Sequence, residues 1–204
     1  MSPLFIPVKS KIVVDKAKII ESAKKLPKNI AIAYTSQYEI QAKEIKTILS
    51  KSHNIIDFIQ VLGCSRPKIK SKAILLIGDG KFHAVSLAVE TGFPIYICTS
   101  NKIEKISDKE INKLKQKQKA SYVKFLNSNK IGILVSTKPG QQNLKTAINI
   151  KRNLKNKTSY LFICNNIDVG QFENFPNIQS WVNTACPRID MNDSRIINAD
   201  KIKL

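Results

Sequence analysis

Long apolar runs are missing from this sequence. No uninterrupted stretch approaches the roughly 20 residues that a membrane-spanning helix needs. The opening residues, MSPLFIPVKSKIVVDK, have neither a basic leader nor a small-residue cleavage site. Both absences point to a soluble, cytoplasmic protein without a signal peptide. Cysteine is sparse: Cys64, Cys98, Cys164 and Cys186 are the four, and no two form a C-x-x-C pair. That excludes a local zinc knuckle and a thioredoxin-type motif, and a reducing cytosol disfavours disulfides. Acidic residues are few, 15 against 34 Lys and Arg, which leaves a net charge of +19. Such a balance suits a polyanionic partner. The lysines are nevertheless spread along the whole chain among Ile and Asn, a pattern that A/T-rich codon usage produces equally well. No RNP, KH or zinc-finger pattern accompanies the charge, so neither a dedicated nucleic-acid reader nor a membrane partner is expected.

What is present is an alternation of apolar, β-branched runs with amphipathic stretches, and 43% of the residues are hydrophobic, enough for a packed core. IAIAYTS (Ile30–Ser36), AILLIGDG (Ala73–Gly80), PIYICTS (Pro94–Ser100), KIGILVST (Lys130–Thr137) and SYLFICN (Ser159–Asn165) read as strands, and IQSWVNTACP contains a further one. Between them, Tyr38–Ser52, Phe82–Gly92 and Asn143–Leu154 carry helical spacing. Ser107 and Glu110 form a capping box ahead of a long polar helix. Continuous apolar strands separated by helices predict parallel sheets covered on both faces. The fold class is therefore α/β: two small parallel-sheet units with flanking helices, residues 1–106 and 107–204, with no evident sequence repeat.

Ligands of open parallel sheets sit at the carboxyl ends of the strands. Four turns fall there: VLGCS (Val61–Ser65), GDGKFH (Gly78–His83), STKPGQ (Ser136–Gln141) and NTACPRI (Asn183–Ile189). Gly78 and Gly80 around Asp79 fit a backbone cradle for an anion at a helix start, or an ordinary strand-to-helix turn, since the full G-x-G-x-x-G is absent. His83 fits a catalyst or a satisfied polar residue, and Lys138 an anion ligand or a solvated turn. Cys98 and Cys164 end apolar strands and read as small buried hydrophobes. Cys64 and Cys186 differ, because turn-forming neighbours place them in loops. Thiolates from separate elements can converge on an iron–sulfur cluster, although two cysteines alone leave that open.

QVLGC (Gln60–Cys64), GDGKFH, STKPGQ and FPNIQSWVNTACPRI (Phe175–Ile189), in this order, resemble the diphthamide synthase family, the 2-(3-amino-3-carboxypropyl)histidine synthases of archaea and eukaryotes. The resemblance runs over essentially the whole chain, and WVNTACPRI is its most specific part. It implies three similar α/β domains around a 4Fe-4S cluster, each giving one cysteine, with Cys64 and Cys186 as those of the second and third. The family's first domain has no counterpart here. A separate chain supplying that domain and the third cysteine is therefore expected as partner, in a dimeric assembly, with the apolar stretch FIPVKSKIVV (Phe5–Val14) as a docking strand or sheet edge.

The resemblance further implies transfer of a 3-amino-3-carboxypropyl group from S-adenosylmethionine to a histidine of translation elongation factor 2 by radical chemistry. Gly78, Asp79, Gly80, His83 and Gln141 are implied as cofactor-binding, with Lys138 or Arg188 pairing the methionyl carboxylate. No catalytic residue beyond the cluster ligands is assigned. A noncatalytic subunit of the same enzyme and a basic RNA- or ribosome-associated protein are the alternatives.

Overall fold

A computed structural model describes residues 6, 8–62, 67–191 and 193–202. The chain forms two compact units, Met1–Leu114 and Lys115–Leu204, each built on one sheet. The first contains α1 (Lys16–Ala23), β1 (Asn29–Tyr34), α2 (Glu39–Leu49), β2 (Asn54–Gln60), β3 (Ile74–Ile77), α3 (Lys81–Thr91), β4 (Ile95–Thr99) and β5 (Lys102–Lys105). Helix α4 (Asp108–Asn127) leads into β6 (Lys130–Ser136), α5 (Leu144–Asn153), β7 (Thr158–Cys164), β8 (Ser180–Asn183) and β9 (Ile196–Asn198). The start of α4 is the capping box expected from sequence: Glu110 N donates to Ser107 Oγ at 3.3 Å, and Ser107 N donates back to Glu110 Oε2 at 3.2 Å. Among the described residues, no helix is long and apolar enough to cross a membrane.

The strand orders are β2-β1-β3-β4-β5 and β7-β6-β8-β9. Four strands of each sheet thus follow one plan, with the first strand inside, the second on one side of it and the third and fourth on the other. This repeat of topology has no repeat of sequence behind it, because a parallel inner strand asks only for apolar residues on both faces. All pairs are parallel except β4 with β5. That hairpin turns through Ser100 and Asn101, both at positive φ, 49° and 68°. Positive φ at both central residues suits the right-handed twist of the two strands. Neither residue is glycine, so the hairpin gives little warning in the sequence.

Helices α1 and α2 cover the face of the first sheet that carries Ile30, Ile32, Leu75 and Ile77. Residues 8–15 lie in no strand, and Phe5 lies outside the described residues. Gln41 Nε2 donates to the carbonyls of Ser10 and Ile12 at 3.0 and 2.9 Å, and Asn101 Nδ2 to that of Val13 at 2.9 Å. The apolar segment read as a possible sheet edge is therefore held by side-chain amides.

In the second unit, α5 and Phe125 of α4 cover Ile131, Ile133, Val135 and Val182. The opposite face packs Leu134, Trp181 and Ile196 against Phe172 from a 3-10 segment, Val169–Asn174. Trp181 stacks on Phe172 with ring centroids 4.1 Å apart. It also lies across Gly132, where an added Cβ would come within 2.3 Å of the indole.

Cys98, in β4, is buried as expected of a packing residue, and burial pushes its thiol up to about 11. Cys164 ends β7 only partly buried, and burial raises its thiol as well.

Two outcomes follow from this packing. Gly132→Ala forces the methyl into Trp181, so stability falls by about 1–3 kcal/mol, the usual cost of overpacking. Trp181 is the only tryptophan, so its fluorescence during urea unfolding reads the change directly; an unchanged midpoint contradicts the contact. Cys98, with a thiol near 11, is about one part in a thousand thiolate at pH 8. In the native chain it resists iodoacetamide and reacts only on unfolding. Alkylation at the unfolded rate in native buffer contradicts its burial.

Candidate metal and cofactor site

Parallel pairing brings the strand-to-helix loops of each sheet to one edge. At the carboxyl rim of the first sheet, β1 runs into Thr35 and β3 into Gly78, Asp79 and Gly80, on adjacent strands. These two strands flank the point where the strand order reverses, the usual ligand crevice of open α/β sheets. Gly78 sits close under Thr35, whose Oγ1 lies 3.2 Å from where a Cβ would stand. That hydroxyl is buried and has no hydrogen-bond partner among the described residues. Gly80, at φ 80°, is the N-cap of α3 and provides no side-chain cap.

The Tyr38 hydroxyl donates to the Asp79 carboxylate. Burial raises the phenol above its ordinary value, reinforced by that bond and by the negative charge. Asp79 is thereby fixed on the rim by a tyrosine that sequence reasoning did not single out. His83, on the first turn of α3, is half-buried and meets Phe82 edge-on at 5.3 Å between ring centroids. Cys64 follows β2 on this sheet in sequence and lies outside the described residues.

The rim of the second sheet gathers Lys138, Gln141, Cys186 and Arg188. After β6 the chain turns through Lys138–Gln141, where Gln141 N donates to the Lys138 carbonyl at 3.0 Å. Lys138 N is held by Ser136 Oγ at 3.1 Å, and the Ser136 hydroxyl donates to the Asn165 carbonyl at 3.2 Å. β8, which neighbours β6, ends at Asn183 and is followed by Thr184, Ala185 and Cys186. The Thr184 hydroxyl donates to the Leu134 carbonyl at 2.7 Å, tying this loop to the end of β6. Asn143, at the start of α5, donates from Nδ2 to the Thr184 carbonyl at 2.7 Å.

Cys186 itself is partly exposed. Its carbonyl accepts from Asn183 Nδ2 at 2.8 Å and from Ile189 N at 3.2 Å. Pro187 then opens a 3-10 turn, Pro187–Met191, and Arg188 on it is exposed. A partly exposed sulfur on a loop, with Arg188 close in sequence and Lys138 on the same rim, suits a soft metal and an anionic ligand. Among the described residues no three His, Cys, Asp or Glu side chains converge. The chemistry of a partly exposed thiol on this loop fits one ligand of a soft-metal cluster.

Sequence reasoning missed Asn198. It ends β9 opposite Asn183, accepts from Asn183 Nδ2 at 2.7 Å and donates to the Pro187 carbonyl at 3.0 Å. Its stretch, RIINAD, carries no turn or ligand signature. Two clefts were also invisible. One of about 240 Å³ beside β7 is lined by Phe162, Cys164, Asp168, Phe172 and Trp181. An open one of about 630 Å³ is lined by Lys18, Lys24, Lys25, Asn101 and Lys102.

The similarities to known proteins agree with this geometry. The chain is 30% identical to the 2-(3-amino-3-carboxypropyl)histidine synthase of Pyrococcus horikoshii, over 93% of this chain and 60% of the relative. It is also 30% identical to the synthase of the same name from Methanocaldococcus jannaschii, over 93% of this chain and 56% of the relative. A crystal structure of Dph2 from Pyrococcus horikoshii with a 4Fe-4S cluster superposes with a TM-score of 0.80 at 25% identity, covering 95% of this chain and 62% of that one. The chain thus spans about three-fifths of the length of these relatives. The model of the family described as "Putative diphthamide synthesis protein" matches residues 1–196. With nearly its whole length matched, this chain belongs to that diphthamide synthesis family.

Proposed function

We propose that this chain forms part of a 3-amino-3-carboxypropyl transferase acting on one histidine of translation elongation factor 2, in the first step of diphthamide synthesis. The observation that carries the reading is the placement of Cys186: a partly exposed thiol on a loop held by hydrogen bonds, at the carboxyl rim of a parallel sheet, inside the WVNTACPRI motif. Cys186 and Cys64 are two thiolate ligands of a 4Fe-4S cluster. The third comes from the portion of the family that these residues do not cover, whether on the same polypeptide or another, and the assembled enzyme is dimeric. When bound, the cluster supplies an electron to the sulfonium of S-adenosylmethionine.

The chain's own residues orient and shield. Arg188 or Lys138 pairs with the methionyl carboxylate, the guanidinium offering two parallel N–H donors. Gly78 and Gly80 allow backbone N–H groups to approach the cofactor, Asp79 is steadied by Tyr38, and His83 and Gln141 line the cofactor's surroundings. Three protein thiolates leave one metal position open, the arrangement by which metal sites take a substrate. Overall, a C–S bond of the sulfonium breaks, a thioether leaves and a C–C bond forms at the imidazole C2 carbon; the hydrogen there departs as a proton and the electron first supplied is given back, so no net electron is consumed. That carbon is a poor nucleophile, so holding the two reactants in register and away from water is the protein's main task.

Anaerobic iron loading tests the ligand set. Alone, the chain holds iron poorly. Together with the remaining family portion it shows the broad visible absorption of a 4Fe-4S centre. Cys64→Ala and Cys186→Ala each abolish that absorption, and Cys186→Ala leaves the melting temperature near that of the parent, since the residue sits in a loop and little core volume is lost. Full iron content in Cys186→Ala overturns the assignment.

A further inference from the structure

We propose that Asn198, together with Asn183 and Asn143, forms a positioning cage that presets the Cys186 loop before any metal binds. The inference rests on the reading of Cys186 as a thiolate ligand and names residues outside the cofactor set above.

The geometry is specific. Three asparagine amides take three carbonyls of one short loop: Asn143 the carbonyl of Thr184 at 2.7 Å, Asn183 that of Cys186 at 2.8 Å, and Asn198 that of Pro187 at 3.0 Å. Asn183 Oδ1 takes the Ala185 N–H at 3.0 Å, and Asn183 Nδ2 also donates to Asn198 Oδ1 at 2.7 Å. The Thr184–Ala185 peptide before Cys186 and the Cys186–Pro187 and Pro187–Arg188 peptides after it are therefore tied down. Asn183 and Asn198 are 2% and 6% exposed.

Burying two amides side by side is costly unless their polar atoms are paired, and an apolar pair of similar volume would serve packing as well. What the amides add is direction: a paired buried network admits few alternative arrangements. Parallel pairing of β8 and β9 sets Asn183 opposite Asn198, so the clamp is built on strands and not on another loop. Sites supported by regular elements hold their ligands more tightly in place. Backbone partners of a ligand loop act as the outer shell of a metal site, whose loss typically weakens binding about 10–100-fold.

The test uses Asn198→Leu, which keeps bulk and removes the side-chain bonds to Asn183 and to the Pro187 carbonyl, and Asn143→Ala, which frees the Thr184 carbonyl and guards against misfolding of the first variant. Two readings are taken. In the metal-free chain, the alkylation rate of Cys186 is followed by peptide mass spectrometry, with Cys164 as internal reference. In the cluster-loaded assembly, cluster loss to EDTA is timed without oxygen, and the EPR spectrum of the reduced centre is recorded.

In folded Asn198→Leu, Cys186 alkylates severalfold faster relative to Cys164, the cluster is lost about tenfold faster, and the EPR line shape changes. Asn143→Ala shows the same signs more weakly. If both variants fold with a lower melting temperature yet leave all three readings unchanged, the asparagines are merely structural and the cage is overturned. If the parent assembly takes up no iron, the ligand reading itself fails and the positioning role with it. Iron uptake by the parent with unaltered kinetics in the variants overturns the cage alone.

Discussion

Parallel pairing forces the strands of a sheet to release their chains at a common edge, and the chemistry of this protein is organised by that constraint. In the second sheet, β6, β7, β8 and β9 all run the same way. The loop after β6 and the loop after β8 therefore emerge side by side, bringing Lys138 and Gln141 to the rim that carries Cys186 and Arg188. The first sheet obeys the same rule through β1, β2, β3 and β4, which sets Gly78, Asp79 and Gly80 beside Thr35. Only β5 runs against it, and it lies at an edge, where it contributes no loop to the rim.

The constraint delivers loops, but it does not fix what a loop does once it leaves the sheet. Polar side chains take over that role. Tyr38 holds Asp79 on the first rim, and Thr184 and the three asparagines hold the cysteine loop on the second. Burial of Tyr38, Thr184, Asn183 and Asn198 makes their bonds matter, since an amide or hydroxyl removed from water is costly to leave unpaired. Much of the polar character buried in the second unit is thus spent around one cysteine.

The parts of the fold legible in the sequence were those whose physics is local. IAIAYTS, AILLIGDG and PIYICTS are strands because unbroken β-branched runs fit a sheet covered on both faces, and α4 begins at Ser107 because Ser107 and Glu110 can satisfy each other's backbone. Cys186 was legible as a loop cysteine because Pro187 follows it. The rest depended on partners distant in sequence. Strand β9 is three residues long, too short for periodicity to mark. Helix α1 spans eight residues, with Ile19 and Ala23 as its buried contacts. The β4–β5 hairpin turns on Ser100 and Asn101 without a glycine. Asn198 acquires its meaning only when β9 pairs with β8, and the stretch from Ser10 to Asp15 only when Gln41 and Asn101 reach it. The shared strand order of the two units was hidden for the same reason, since any apolar run can occupy an inner strand.

The proposed function makes a specific chemical claim: that the assembled protein joins a carbon of S-adenosylmethionine to an imidazole carbon of elongation factor 2. The most direct measurement is peptide mass spectrometry of elongation factor 2 after anaerobic incubation with S-adenosylmethionine, a reductant, this chain and the remaining family portion. The account predicts that one histidine gains a single 3-amino-3-carboxypropyl group attached through ring carbon. Recovery of that histidine unmodified, from an assembly that carries a full cluster, would contradict it.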